Sequence, residues 1–147
     1  MAVKPIPEGY HTVTPYLLVK GVAQLVEFCK QAFGAQEVAR HLHPDGTVGH
    51  AEIRIGDSMV MMGEAREEWP ARPSCIYMYV TDTDATFRQA IAAGATSLSE
   101  PVDQFYGDRS GGVMDPAGNY WWISTHIEDV SPEEISRRAA EAQAKKA

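Results

Sequence analysis

Three things are scarce in this chain, and each scarcity removes a class of function. Cysteine occurs only at Cys29 and Cys75, too few for the disulfide framework of a small secreted domain. The opening MAVKPIPEGYH also lacks the apolar segment of a signal peptide, so the expectation is a cytoplasmic protein with reduced thiols. No apolar run approaches the roughly 18–20 residues of a membrane span. Positive charge is short as well. Lys and Arg number 13 against 20 Asp and Glu, a net charge of −7, and no basic stripe is present. No membrane or nucleic-acid partner is therefore expected. Phosphate-loop glycine patterns are missing, and Ser58, Ser110 and Ser124 have no His neighbour in sequence to make a nucleophile.

What is present is a repeat. The chain has 147 residues, enough for one domain with a sizeable core or for two small modules sharing one. PYLLVKGVAQLVEFCKQAFGA (15–35) resembles CIYMYVTDTDATFRQAIAAGA (75–95): a strand, a helix, then Gly-Ala. Val19 corresponds to Val80 (80 − 19 = 61) and Gly56-Asp57 to Gly118-Asn119 (118 − 56 = 62). A near-constant offset points to duplication of one unit.

Each copy reads alike. In HTVTPYLLV, Val13, Leu17 and Val19 alternate with Thr12, Thr14 and Tyr16, predicting a strand with one apolar face. In the second copy Ile76, Met78 and Val80 alternate with Cys75, Tyr77 and Tyr79. Helix one follows with Val22, Leu25, Val26, Cys29, Ala32 and Phe33 at helical spacing, and stops at Gly34. Helix two starts in the 81–84 run of short oxygen-bearing side chains, carries Phe87, Ala90 and Ile91, and stops at Gly94. Three strands complete the first copy at about 36–43, 48–56 and 58–63, with hairpin chemistry at PDG and Gly56-Asp57. TSLSEPVDQ, GGVMD and NYWWIST repeat them more loosely.

The predicted fold is therefore α+β. One domain over 10–127 contains a βαβββ module at 10–63, a charged and proline-bearing linker at 64–74, and a second module at 75–127. A C-terminal helix at 131–146 has Ser131 as cap, Pro132 in first position and Glu134 closing a capping box. Each sheet has one face under its helix, and the two free faces together would cup a cavity. Counting from the turn glycines, Trp121 and Ile123 share parity with Met59 and Met61 and belong under helices. Trp122 and Ser124 look into the cup.

The ordered set TPYL.V, F...FGA, HAEIRIGDS and YGDR…DPAGN.WWI.T, with the terminal HIEDVSPEE, resembles the vicinal oxygen chelate superfamily. That superfamily includes glyoxalase I, extradiol dioxygenases and the bleomycin- and fosfomycin-resistance proteins, and the likeness is greatest to its PhnB-like branch. The resemblance implies four metal-ligand places on the first and last strands of the modules. Along this repeat they fall at Thr14, Val60, Cys75 and Trp122. A divalent ion needs imidazole and carboxylate donors there, so no metal and no cofactor are expected. What remains is the pattern of the members that trap an organic molecule. The resemblance also implies a homodimer, whose units pair edge to edge or swap between chains.

Candidate cup residues come from the alternation. A four-residue loop at 44–47 pairs His43 with Val48, His41 with His50, Ala39 with Glu52 and Glu37 with Arg54. His50, Glu52 and Arg54 then face the cup. Thr14, Tyr77, Tyr79, Trp122 and Ser124 add aromatic walls and hydroxyls. FYGDRSGG (105–112) reads as a glycine-rich loop carrying Tyr106 and Arg109, the latter a clamp for a ligand anion; an Asp108–Arg109 turn that only fixes the hairpin is the plainer alternative. Cys75 reads as a buried, inert thiol, and His11 and His126 are given no role. Two other readings stay open: a metalloenzyme of lyase, isomerase or dioxygenase type with ligands relocated to His41, His50 and Glu52, and a homodimeric module whose cup is filled by its own side chains.

Overall fold

The computed structural model describes residues 2–146. Two copies of one topology appear. In the first, β1 (Tyr16–Val19) leads into α1 (Val22–Phe33), then β2 (Gln36–Leu42), β3 (Val48–Ile55) and β4 (Ser58–Glu64). In the second, β5 (Cys75–Tyr79) leads into α2 (Thr83–Ala92), then β6 (Thr96–Asp103), β7 (Asp108–Met114) and β8 (Tyr120–His126). Helix α3 (Pro132–Lys146) follows. The sheets run β1-β4-β3-β2 and β5-β8-β7-β6. In each, the first strand lies parallel to the last while the other pairs are antiparallel. The α+β, paired-module fold read from the sequence is the one observed.

Local chemistry sets the element ends. Helix α1 stops where Gly34 takes a left-handed φ of 66° and donates its N–H to Lys30 O, a conformation glycine adopts without a Cβ penalty. At the other end the Glu64 carboxylate accepts the Gly21 and Val22 amides at 2.9–3.1 Å, capping the helix from a distant strand. Helix α2 is capped by Asp82, whose side chain accepts from Ala85 N. Ser131 Oγ accepts from Glu134 N as expected. The Glu134 carboxylate, however, turns to Arg137 and Arg138 in place of the capping box.

One apolar cluster unites the modules. Leu17, Val19, Ala51, Ile53, Val60 and Met62 meet α1, while Phe87, Ala90, Val113, Trp121 and Ile123 meet around α2. The two helices pack on each other, and the Phe33 ring lies 4.8 Å from that of Trp121. The sheet faces opposite the helices therefore look away from the shared core, and one chain by itself does not bring them together as a cup.

Several strand expectations are corrected. The first strand is short, and Val13 lies outside it, 81% exposed. Ile91 is exposed near the end of α2, whereas Phe28, which the helical spacing passed over, is in the core. Bulges in the β2–β3 hairpin keep His41 opposite His50 and Ala39 opposite Glu52, but place Leu42 opposite Val48 and Gln36 opposite Arg54. Glu37 turns instead to Lys30 and Arg40.

The parity of β4 is also shifted. Val60 and Met62, not Met59 and Met61, lie with Leu17 and Ile53 under α1. The cause is turn length. Ile55 pairs with Ser58 across two residues, while Met114 pairs with Tyr120 across five. The structural equivalent of Trp121 is thus Val60 (121 − 60 = 61), and that of Trp122 is Met61.

Candidate functional site

The two neighbouring tryptophans part company as strand alternation requires. Trp121 is 1% exposed and donates its indole N–H to Asp115 Oδ2 at 2.7 Å. Asp115 is itself buried and also accepts the Ala117 and Asn119 amides and the Asn119 side chain. Its carboxylate organises the Asp-Pro-Ala-Gly-Asn turn from inside. Trp122 lies on the free face, half-buried, with its ring laid over Gly112 of β7, where any Cβ would strike it.

Around Trp122 the second sheet assembles a polar cluster. Tyr77 sits opposite Trp122 and Tyr79 opposite Ser124. The hydroxyls of Tyr77 and Tyr79 donate to one oxygen of Asp108 at 2.6 and 3.0 Å, and His126 Nδ1 donates to the other at 2.9 Å. The Asp108 residue is only 3% exposed. Burial works against its charge, but hydrogen bonds from Tyr77, His126 and Tyr79 outweigh burial and hold its carboxyl below the usual range. Burial, with the bond to Asp108, pushes the Tyr77 phenol up, so the hydroxyl stays protonated. His126 also donates Nε2 to Asp129 at 2.7 Å. Its pKa is raised, chiefly by the bond to Asp108 and then by that to Asp129. The buried Ser124 hydroxyl donates to Ser110 at 2.9 Å, and Tyr106 stands half-buried in the turn before β7.

The free face of the first sheet is different in kind. His50 and Glu52 project from β3 and are joined through Nε2 and Oε2 at 3.0 Å. Burial, and then the neighbouring His41, hold the His50 imidazole below its ordinary pKa. The link to Glu52 is therefore a hydrogen bond from a neutral ring. Tyr16, which the alternation left unassigned, meets His50 Nδ1 at 3.2 Å. Arg54 is exposed and reaches toward Gln36.

The candidate residues thus fall into two groups on two faces. Tyr77, Tyr79, Tyr106, Trp122 and Ser124 form one; His50, Glu52 and Arg54 form the other. Thr14 joins Tyr77 and Tyr79 along a cleft of about 830 Å³ between the modules, floored by Phe33, Met59 and Trp121.

Arg109 belongs to neither group. Asp108 to Gly112 are strand, not loop, so Arg109 points to the helix side. There its guanidinium grips Asp84 bidentately at 2.8 and 2.9 Å and reaches Asp103 at 3.0 Å. It fastens α2 to the sheet, and the free-facing anionic partner of the tyrosines is Asp108. The turn reading of Asp108–Arg109 falls for the same reason. His126, given no role from the sequence, is part of the cluster. Strand parity could have found Asp108: Val113 faces the helix, so 108, 110 and 112 face away from it.

Among the described residues no set of donors fits a divalent ion. With β4 in its observed phase, the four implied ligand places are Thr14, Met61, Cys75 and Trp122; Val60 is buried under α1. A hydroxyl, a thioether, one thiol and an indole do not provide the donors such an ion needs. The Cys75 thiol is exposed rather than buried; Cys29 is the buried one. Among the described residues no group of three or more His, Cys, Asp or Glu is arranged to hold a metal, so the relocated set His41, His50 and Glu52 is not assembled as one. Among the described residues no helix is long and apolar enough to cross a membrane.

The family model of the Glyoxalase/Bleomycin resistance protein/Dioxygenase superfamily matches residues 10–123. An uncharacterized protein of Mycobacterium bovis is 35% identical over 134 residues, covering 84% of this chain and 88% of its own length. Among solved structures, TioX from Micromonospora sp. ML1 aligns with a TM-score of 0.63 at 23% identity, covering 78% of this chain and 99% of its own. A gene product of Arabidopsis thaliana aligns with a TM-score of 0.62 at 26% identity, over 78% and 98%.

Proposed function

The chain belongs to the Glyoxalase/Bleomycin resistance protein/Dioxygenase superfamily, and from that premise we propose that it binds a small organic molecule on the free face of its second sheet, with no metal at the four ligand places the family resemblance implies. The carrying observation is the buried Asp108 carboxylate. It takes hydrogen bonds from Tyr77, Tyr79 and His126 and so fixes two aromatic rings beside Trp122. A rigid aromatic wall with oriented hydroxyls suits a flat, partly apolar ligand. The tyrosine protons are directed to Asp108, so their outward lone pairs are free to accept from the ligand. Tyr106 and Ser124 border the same wall.

A second copy of the chain completes the site. Among the described residues, strand β5 has β8 as its one strand neighbour, and Tyr77 and Tyr79 on it are 44% and 64% exposed. An uncovered edge with exposed aromatics is a surface for strand or sheet association. In a homodimer, the first sheet of the second copy, with His50, Glu52 and Arg54, forms the facing wall, and Thr14 borders the site from the cleft between the modules. The ordered motifs IRIGDS and DPAGN.WWI.T support placing the chain in the PhnB-like branch. Its two free thiols suit a reducing cytoplasm.

Sedimentation and ligand titration test this reading. The protein sediments as a dimer at micromolar concentration. In a thermal-shift screen of small aromatic and heteroaromatic metabolites, binders raise the wild-type melting temperature. Trp122→Ala weakens those binders by about 1–3 kcal/mol, the scale of a buried aromatic anchor. Equal binding by wild type and Trp122→Ala would overturn the site. So would a stoichiometric divalent metal coordinated beside Trp122 in untagged protein.

A further inference from the structure

On the first module, Tyr16, His50 and Glu52 stand in line, and nothing in the ligand reading requires their order. Glu52 Oε2 lies 3.0 Å from His50 Nε2, and His50 Nδ1 lies 3.2 Å from the Tyr16 hydroxyl. A carboxylate only accepts hydrogen bonds, so the ring proton sits on Nε2 and the Nδ1 lone pair receives the Tyr16 O–H. This is the arrangement of carboxylate, imidazole and hydroxyl by which enzymes activate an oxygen, with tyrosine in the place of serine.

Backbone pairing holds the line together. His50 and Glu52 share a face of β3, Glu52 lies opposite Met61, and Met61 lies beside Tyr16. Gly63 lies opposite His50, and the Tyr16 ring occupies the space where a Cβ at Gly63 would be. A larger residue there would push the hydroxyl out of line. The His50 ring is only partly exposed and is held neutral by burial and His41, the state a proton acceptor needs. The Tyr16 side chain borders a cleft of about 450 Å³ whose other walls include Trp69 and Arg66. Trp69 is 58% exposed and Arg66 carries a guanidinium.

We propose that Tyr16, His50 and Glu52 form a metal-independent general-base relay that enolises a flat 2-oxo acid in this cleft. The carboxylate of the substrate takes the place of Glu68, which meets the Arg66 guanidinium at 3.2 Å in an exposed pair, and its planar body stacks on Trp69. The C–H bond next to the carbonyl breaks and its proton passes to the Tyr16 oxygen. The freed electron pair forms a C=C bond as the carbonyl electrons move onto oxygen. The original Tyr16 proton passes to His50 Nδ1, and the imidazolium so formed is balanced by Glu52. Reversal returns a proton to carbon, so no oxidant or further reactant is needed. All three relay residues lie on the first module; His50 and Glu52 also belong to the facing wall of the ligand reading, and proton exchange is read separately from ligand binding at Trp122.

Phenylpyruvate in deuterated water is the probe, with loss of its C3 proton signal followed by NMR. The full-length protein accelerates exchange at least tenfold over buffer. Tyr16→Phe keeps the ring over Gly63 but removes the hydroxyl, and lowers the protein-dependent rate by tenfold or more. His50→Gln does the same, and remains decisive if Tyr16→Phe fails to fold. Arg66→Ala raises KM with kcat unchanged. Absence of protein-dependent exchange overturns the relay, as does exchange that persists in folded Tyr16→Phe or His50→Gln. An unchanged KM in Arg66→Ala overturns the carboxylate assignment.

Discussion

The two modules share a topology and differ in what their uncovered faces carry. In both, the first strand lies beside the last, and an aromatic ring lies over a glycine: Tyr16 over Gly63 in one, Trp122 over Gly112 in the other. Around those rings the chemistry diverges. The first module keeps imidazoles and a part-exposed glutamate, linked through a neutral His50. The second buries its carboxylate under two tyrosines and His126, whose pKa that carboxylate raises. Duplication preserved the side that packs under helices, where density and volume constrain every position. It left the other side free to change, and the proposed site lies there.

The sharpest way to break this comparison is to exchange core for face within one strand. Trp121→Ala empties a core position in contact with Phe33 and leaves Asp115 short of a donor. We expect a loss of about 3–5 kcal/mol in urea unfolding. Its equivalent Val60→Ala should cost about 2 kcal/mol, and Trp122→Ala about 1 kcal/mol or less, since its ring faces outward. A Trp122→Ala loss matching that of Trp121→Ala would refute the division into core and face.

A smaller effect probes the ring over the glycine. Gly112→Ala drives a methyl into the Trp122 ring and should cost about 1–3 kcal/mol, as other overpacking changes do. The double substitution Gly112→Ala with Trp122→Ala should be more stable than the sum of the two single losses, because the clash disappears with the ring. Strict additivity would mean that Trp122 does not rest on β7.

Strand alternation made much of this legible before any coordinates. It separates Trp121 from Trp122, sets His50 and Glu52 on one face, and identifies the duplicated βαβββ order. It lost the phase of β4 because the offset was counted from turn glycines, and the two turns differ in length. It lost Val13 because the chain around Pro15 is not in the sheet. Asp108 was hidden for another reason. The hydroxyls that bind it come from residues 31 and 29 positions earlier, and the nearby glycines made its strand look like a loop. Arg109 was misread with it: a charged residue near a cavity mouth in sequence turned out to have both its carboxylates on the helix side.

The least effect, and the most discriminating between modules, is the pH dependence carried by one histidine on each. His126 gains Asp108 and Asp129 on folding, so its folded pKa lies above the unfolded value of about 6.5. Its contribution is fully present below that value and is lost as the pH rises through the folded one. His50 is the reverse. Burial among Tyr16, Glu52 and His41 puts its folded pKa below the unfolded value, so stability is full above about 6.5 and falls as the pH drops toward the folded one. Melting temperatures taken across this range should therefore decline on both sides of a maximum near neutrality. His126→Gln should flatten the alkaline decline, and His50→Gln the decline on the acid side just below pH 6.5. If both substitutions flattened the same limb, the two faces would not differ in charge state as their hydrogen bonds require.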